Sequence, residues 1–319
     1  MSFKKIFVGL AASALLVASG TASAQKTQFV SVFTGGQSGV YYPVGVAIAQ
    51  NLADNIDNLR ATAQVTKASA ENMNLLQAGR GEIAFSVADT VEDALNCREQ
   101  SVFKSKLDKL RGITYLYNNY VQIIANPESG IKSIEDLKGK RISVGAARSG
   151  TELNARAIFK AAGLDYSDFA KVEYLPFGES VELMKNRQID ATLQSAGLGV
   201  ASIRDLASAI KITVVPIPKE IVEKVSSDAY IADVIPANTY DGQTEDVPTA
   251  AISNFLVSHS DVSDELAYEI TKVIYDKLGA LKNAHNAVNA MDIKNAVVGM
   301  PVPVHPGAER YFKEQGIIE

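Results

Sequence analysis

Behind an apolar leader, the chain alternates short apolar runs with stretches whose hydrophobic positions recur at helical spacing. Residues 28–34, 63–66 and 83–87 read as strands. Val44, Ile48, Leu52 and Ile56 fall four residues apart on one face of a helix that Pro43 starts, and residues 71–78 form a second helix closed by Gly79. The plan then recurs, with strands at 141–145, 172–175 and 189–193 and helices at 151–162 (closed by Gly163) and 179–186. Local wording recurs too: Leu75-Leu76-Gln77-Ala78-Gly79-Arg80-Gly81-Glu82-Ile83-Ala84 is echoed by Leu183-Met184-Lys185-Asn186-Arg187-Gln188-Ile189-Asp190-Ala191. This order predicts an α/β protein of two similar lobes, each offering a small-residue turn and a helix start at the carboxyl edge of its sheet.

The punctuation sets the boundaries. A strand over 120–126 ends at Asn126-Pro127, a crossing into the second lobe, and a strand over 250–257 returns after the polar segment 241–248. Lobe I is then 25–124 with 250–319, and lobe II is 125–249. Two crossing segments make a hinge on which the lobes can close.

Residues 1–24 read as a cleavable export signal: Lys4 and Lys5, an apolar or small-residue run from 6 to 20, and an Ala22-Ser23-Ala24 cleavage site. The run is shorter than the roughly 20 apolar residues of a membrane span. No cysteine follows it, which argues against a lipid anchor, and nothing later reads as a transmembrane segment. The expected mature chain is soluble and exported, begins near Gln25 and retains 295 of the 319 residues, enough for two domains. Losing Lys4 and Lys5 takes the formal charge from −5 to −7. An acidic chain without basic runs argues against nucleic acid or anionic membrane as partners. Cys97 is the only cysteine, so no internal disulfide supports the fold, and it reads as a bystander on a helix with Asn96 and Arg98.

The candidate chemistry sits in the turns. Thr34-Gly35-Gly36-Gln37-Ser38-Gly39-Val40-Tyr41-Tyr42-Pro43 carries a strand into a helix, a geometry that aims backbone N–H groups at a small anion. Gly35, Gly36, Ser38 and Tyr41 are its ligand candidates, with Tyr42 as a second covering phenol. A dinucleotide turn fits poorly, because the glycine order is wrong and Asp54 and Asp57 fall inside the helix. A tight turn with no ligand is the bland alternative. In the second lobe, Ser149-Gly150-Thr151-Glu152 is the counterpart. It reads as a capping box, with Glu152 returning to the Ser149 N–H, and as an anion site offering Ser149, Gly150 and Thr151. Arg148 is the only arginine beside either turn and either grips an acidic ligand or faces solvent. Ser86 and Asp89, and Gln194, Ser195 and Gly197, occupy strand ends at the same edge.

Catalysis and metal binding find little support. The three histidines, His259, His285 and His305, form no paired motif, and no nucleophile turn is present. A carboxylate pair for glycoside hydrolysis is the best enzyme alternative. The expectation is a non-enzyme without cofactor or metal.

Thr34-Gly35-Gly36 with Gly39, Tyr41-Tyr42-Pro43, Ala47-Ile48, Ser149-Gly150-Thr151-Glu152, Tyr240-Asp241-Gly242-Gln243-Thr244-Glu245-Asp246-Val247-Pro248-Thr249 and His305-Pro306-Gly307-Ala308 with Arg310-Tyr311 together carry a resemblance. The mature chain resembles the solute-receptor subunits of TAXI-type TRAP transporters, which include 31 kDa bacterial immunogens. The resemblance implies a periplasmic receptor of the type II binding-protein fold. Such a receptor closes on a small organic acid (glutamate, glutamine or 2-oxoglutarate) and delivers it to an ion-coupled membrane permease. It points to Gly35, Gly36, Tyr41, Ser149 and Thr151 as ligand contacts. Where such receptors often have glycine before Ser-Gly-Thr, this chain has Arg148, which leans the expected ligand toward two carboxylate-like ends. A receptor for an ABC importer, an exported enzyme and a surface adhesin are the competing classes. His305 and the helix that Pro306 starts read as structural.

Overall fold

The computed structural model describes residues 27–97 and 101–319. The export signal, the mature start near Gln25 and Arg98 lie outside the described residues. The first half runs β1 (Gln28–Phe33), α1 (Tyr41–Asn55), β2 (Leu59–Gln64), α2 (Ser69–Gln77) and β3 (Ile83–Val87), followed by α3 (Ala88–Asn96). β1 lies between β2 and β3, and all three are parallel. After β4 (Leu110–Ala125) the same plan recurs as β5 (Arg141–Ser143), α4 (Gly150–Ala161), β6 (Lys171–Glu173), α5 (Phe177–Lys185) and β7 (Ala191–Ala196). β5 again lies between its two partners, all parallel. The remainder is α6 (Ala201–Ala209), β8 (Thr213–Val215), α7 (Lys219–Val222), β9 (Tyr230–Ile235), β10 (Val247–His259), α8 (Asp264–Asp276), α9 (Leu278–Ala284) and α10 (Pro306–Glu314).

Two long strands join the halves. β4 pairs antiparallel with β10 over 110–120, then with β7 over 120–125 and β8 over 123–125. β10 pairs with β9 over 247–252 and with β3 over 254–257. The strand order is therefore β2-β1-β3-β10-β4-β7-β5-β6, two α/β lobes sharing β4 and β10 as a two-segment hinge.

Helices cover both faces, so the inner strands are buried on both sides and every residue of β3 is inaccessible. On one face α1 (Val44, Ile48, Leu52) and α8 (Leu266, Ile270, Ile274) pack on Val30, Val32, Ile83 and Phe85. On the other, α2 (Met73, Leu76), α3 (Val91) and α4 (Ile158, Phe159) pack on Ala84, Ile142, Phe255 and Val257. Each cluster holds residues of both halves, so the core is continuous across the lobes. Among the described residues no helix is long and apolar enough to cross a membrane.

Several boundaries differ from the sequence reading. β4 begins at Leu110, ten residues before the expected 120, because Gly112, Asn118 and Asn119 interrupt the apolar pattern without breaking the strand. β2 is an edge strand whose Arg60, Thr62 and Gln64 point to solvent, which hid it and displaced the expected strand to 63–66. Cys97 ends α3 in a left-handed conformation (φ 49°), and is not a helical position.

Candidate functional site

Four helices start at one cavity between the lobes. Its volume is about 910 Å³, and its lining includes the residues at the N-termini of α1, α2, α4 and α5. All four follow the strands β1, β2, β5 and β6 at the sheet's carboxyl edge, so the topology brings their partial positive ends together. In α1, α2 and α5 no side chain caps the start. The first intrahelical bonds come from Val44, Asn72 and Ser180 N–H, which leaves the earlier amides of each helix unpaired by its own turns. α4 is capped: Ser149 Oγ accepts from Glu152 N–H at 3.1 Å and Ser149 O from Leu153 N–H, leaving Gly150 and Thr151 N–H unused by the helix.

Here the glycine backbone of one lobe meets side chains of the other. A Cβ on Gly150 would fall 2.5 Å from Ser69 Oγ and 2.9 Å from Val87 Cγ2, so only glycine allows α4 to approach α2 this closely. Across the cavity, the Gly36–Gly39 turn faces Pro176 and Phe177, and Gly178 faces Ser38.

Among the described residues eight buried side-chain polar atoms lack a hydrogen-bond partner, and three of them belong to residues that line this cavity. Tyr117, Asn119 and Ser195 line the cavity, and their Oη, Oδ1 and Oγ atoms are buried without a hydrogen-bond partner. Such groups are costly unless something completes them. Tyr117 is 1% exposed, and burial pushes its phenol far above the ordinary range, so its O–H remains a donor. Tyr41 is likewise raised by burial and donates to Asn254 Oδ1. Asn119 Nδ2 donates to Ser195 O at 3.0 Å, and Thr151 Oγ1 donates to the same carbonyl at 3.4 Å. Ala68, the residue before α2, holds φ 68° and ψ −152°, a conformation that strains any residue with a Cβ.

Residues 32–316 match the model of the NMT1-like family. The chain belongs to the NMT1-like family. The match spans all four helix starts and both shared strands. Solved structures resemble it at the level of fold. PhnD1 of Prochlorococcus marinus, in complex with methylphosphonate, is 12% identical with a TM-score of 0.56, over 92% of this chain and 100% of the other. A putative L-cystine ABC transporter protein of Listeria monocytogenes is 17% identical with a TM-score of 0.51, over 82% and 97%. A binding-protein component of an ABC phosphonate transporter from Pseudomonas aeruginosa is 12% identical with a TM-score of 0.52, over 82% and 79%.

In this NMT1-like chain, the cavity brings together Gly35, Gly36, Ser38, Tyr41, Ser149, Gly150, Thr151 and Ser195. Six expected contacts, Arg148, Ser86, Gln194, Tyr42, Asp89 and Gly197, lie elsewhere. Arg148 is exposed and its guanidinium donates to Val102 O, so it does not enter the cavity. Its φ of 62° lies in the left-handed region, which favours glycine. Ser86 is buried and bonds Val87 O at 3.2 Å. Gln194 faces Ser202, whose hydroxyl donates to Gln194 Oε1 at 2.6 Å. Tyr42 is not a lining residue either.

Only half of the capping box forms. Ser149 N–H donates to Ala146 O, while the Glu152 carboxylate turns to Arg156 and to Tyr166 Oη, which donates at 3.1 Å. Tyr117, Asn119, Ser69, Pro176 and Phe177 escaped the sequence reading. Their topological positions were the available signal, since the segment after β6 repeats the place of the segment after β2.

A second crevice lies beside the hinge. Asp89 Oδ2 accepts from Asn154 Nδ2 at 2.7 Å and from Tyr230 Oη at 2.6 Å, and Oδ1 accepts from Thr90 N–H at 2.7 Å. Burial pushes Asp89 up to about 6 against the pull of these hydrogen bonds. This trio ties α3 to α4 and β9 and replaces the ligand role expected for Asp89. His305 is structural: Nδ1 accepts from Gly307 N–H at 3.3 Å at the start of α10, and Nε2 lies 3.1 Å from Val262 O. Among the described residues no group of three or more His, Cys, Asp or Glu is placed to hold a metal.

Proposed function

We propose that this chain is a periplasmic receptor that captures a small organic acid between its lobes and hands it to a membrane permease. The observation carrying this reading is the convergence of four helix N-termini with three buried, unpartnered polar atoms on one interlobe cavity. Each helix start favours an anion by about 0.3–1 kcal/mol, and more where solvent is excluded. The site holds donors but no nucleophile–base pair, so capture without turnover is its natural chemistry.

The lobes are assigned as residues 25–124 with 250–319, and 125–249, hinged on β4 and β10. The change of partner along β4 at Tyr120 supports that division. The contacts of Gly150 with α2 and of the Gly36–Gly39 turn with Phe177 describe a closed arrangement.

A TRAP-type, ion-coupled permease is the partner favoured by the turn and C-terminal motifs that carry the TAXI resemblance. An ABC importer is the second reading, favoured by neighbours of that kind among the solved structures. Proteoliposomes containing the permease decide between them: uptake driven by an ion gradient without ATP supports TRAP coupling, and ATP dependence overturns it. The receptor reading itself is tested by thermal denaturation of the mature protein with C4–C6 carboxylates and amino acids. A ligand stabilises by RT ln(1 + [L]/Kd), so the shift grows with concentration. A melting temperature indifferent to every acid, with sugars or inorganic anions shifting it instead, removes the ligand class.

A further inference from the structure

We infer that the ligand is a monoanion with a bulky apolar body, such as an aryl or branched-alkyl monocarboxylate, and not a dicarboxylate or a zwitterionic amino acid. This rests on the receptor reading above and narrows its ligand class.

The cavity is divided in chemistry. Around Gly150, the lining offers the free Gly150 and Thr151 amides and the Tyr117 and Ser195 hydroxyls, a donor set sized for one oxyanion head. Asn119 Oδ1 adds one acceptor, which suits a ligand hydroxyl and repels a second carboxylate. The segment before and into α5 supplies Leu175, Pro176, Phe177 and Leu183, and the opposite lobe adds Val65, whose side chain is 52% exposed at the mouth. Exposed apolar groups lining a cavity of about 910 Å³ call for an apolar partner.

Charge excludes the alternatives. Among the described lining residues Lys67 is the one cation, and it is exposed. The acidic lining residues are Glu173, Glu179 and Glu182, all on the α5 side. Glu173 is ion-paired with Lys171 and Glu182 with Lys185, so a second carboxylate directed there meets chiefly Glu179, which already sits in the first turn of α5 at its positive end. α1, by contrast, has no acidic residue in its first turn. An amino acid's ammonium would have only these exposed or half-buried lining glutamates to meet it, two of them already ion-paired. Burying either extra charge without a partner is unfavourable.

Calorimetric titration of the mature protein with 4-phenylbutyrate, 4-phenylbutanamide, butyrate, glutarate, 2-oxoglutarate and glutamate tests this. Phenylbutyrate is expected to bind at least tenfold tighter than each of the other five, and Phe177→Ala to weaken phenylbutyrate more than butyrate. Glutarate, 2-oxoglutarate or glutamate binding tighter overturns the assignment of ligand class while leaving the receptor reading in place. Equal affinity for acid and amide overturns the anionic head. Binding of none of these compounds overturns the inference and, if the wider acid screen is also silent, the receptor reading with it.

Discussion

The two halves of the molecule share a topology and divide the chemistry. In β1-α1-β2-α2-β3 both helices start without a side-chain cap, and the half contributes glycines, the Tyr41 phenol and the strained Ala68. In β5-α4-β6-α5-β7 the first helix is capped by Ser149, and the half contributes hydroxyls at one end and the Pro176–Phe177 wall at the other. Strand order and burial on both faces maintain the shared plan, which tolerates different turn sequences. The halves differ in the four turns that line the cavity, which no shared packing constraint forces to be alike.

The largest effect should come from forcing the halves apart. Gly150→Ala places a Cβ against Ser69 and Val87 and should weaken ligand affinity roughly 10- to 100-fold, an overpacking cost of about 1–3 kcal/mol. Solution scattering should show a larger radius of gyration at saturating ligand than for the parent. Identical profiles and affinity would mean that α2 and α4 need not approach for binding.

The Asp89 tie should respond to pH. Its folded carboxyl titrates near 6, above the ordinary value, so the folded state binds the extra proton. Its contribution is complete below about pH 4 and is lost as pH rises through 6, a change of at most about 3 kcal/mol at 1.36 kcal/mol per unit. Denaturation of parent and Asp89→Asn across pH 4–7 should show the parent losing stability relative to the variant as pH rises. A constant difference between them would remove this titration from the window.

Ala68→Gly should relieve the strained conformation before α2 and raise apo stability by about 1–2 kcal/mol, read from chemical denaturation. Ser149→Ala makes α4 resemble the uncapped starts of the first half. It should cost about 1 kcal/mol of apo stability and change affinity less than threefold, because the Gly150 and Thr151 amides remain. A tenfold loss of affinity would make the Ser149 hydroxyl itself a contact. The smallest effect is expected from Arg148→Gly, where relief of a left-handed φ offsets loss of the bond to Val102 O, leaving stability within about 1 kcal/mol and binding unchanged.

Apolar runs made β1 and β3 legible to within a residue of their ends, although only β3 is buried throughout and β1 opens with the exposed Gln28 and Phe29. The glycine-rich turn and Ser149–Thr151 were legible because helix starts need particular residue types. Edge strands and polar inner strands were not: Thr192, Gln194 and Ser195 are buried within β7, so their polarity disguised it and displaced the expected strand to 189–193. The same disguise hid Asn119, a hinge-strand residue of a type that ordinarily marks turns. Arg148 misled for the opposite reason, since its charge suggested a ligand while its backbone conformation and its bond to Val102 O direct it outward.

β10 is the last strand among the described residues, yet it sits between β3 and β4 near the centre of the sheet. Until residues 247–259 are available, β3 and β4 each keep an unpaired edge, and lobe I cannot be completed from its own first segment. Joining β4 to β10 closes a loop of more than a hundred residues, a nonlocal step of the kind that slows folding. Formation of the complete native sheet is thereby deferred until residues 247–259 have emerged, although the parallel pairings within β1–β3 and within β5–β7 have all their partners earlier.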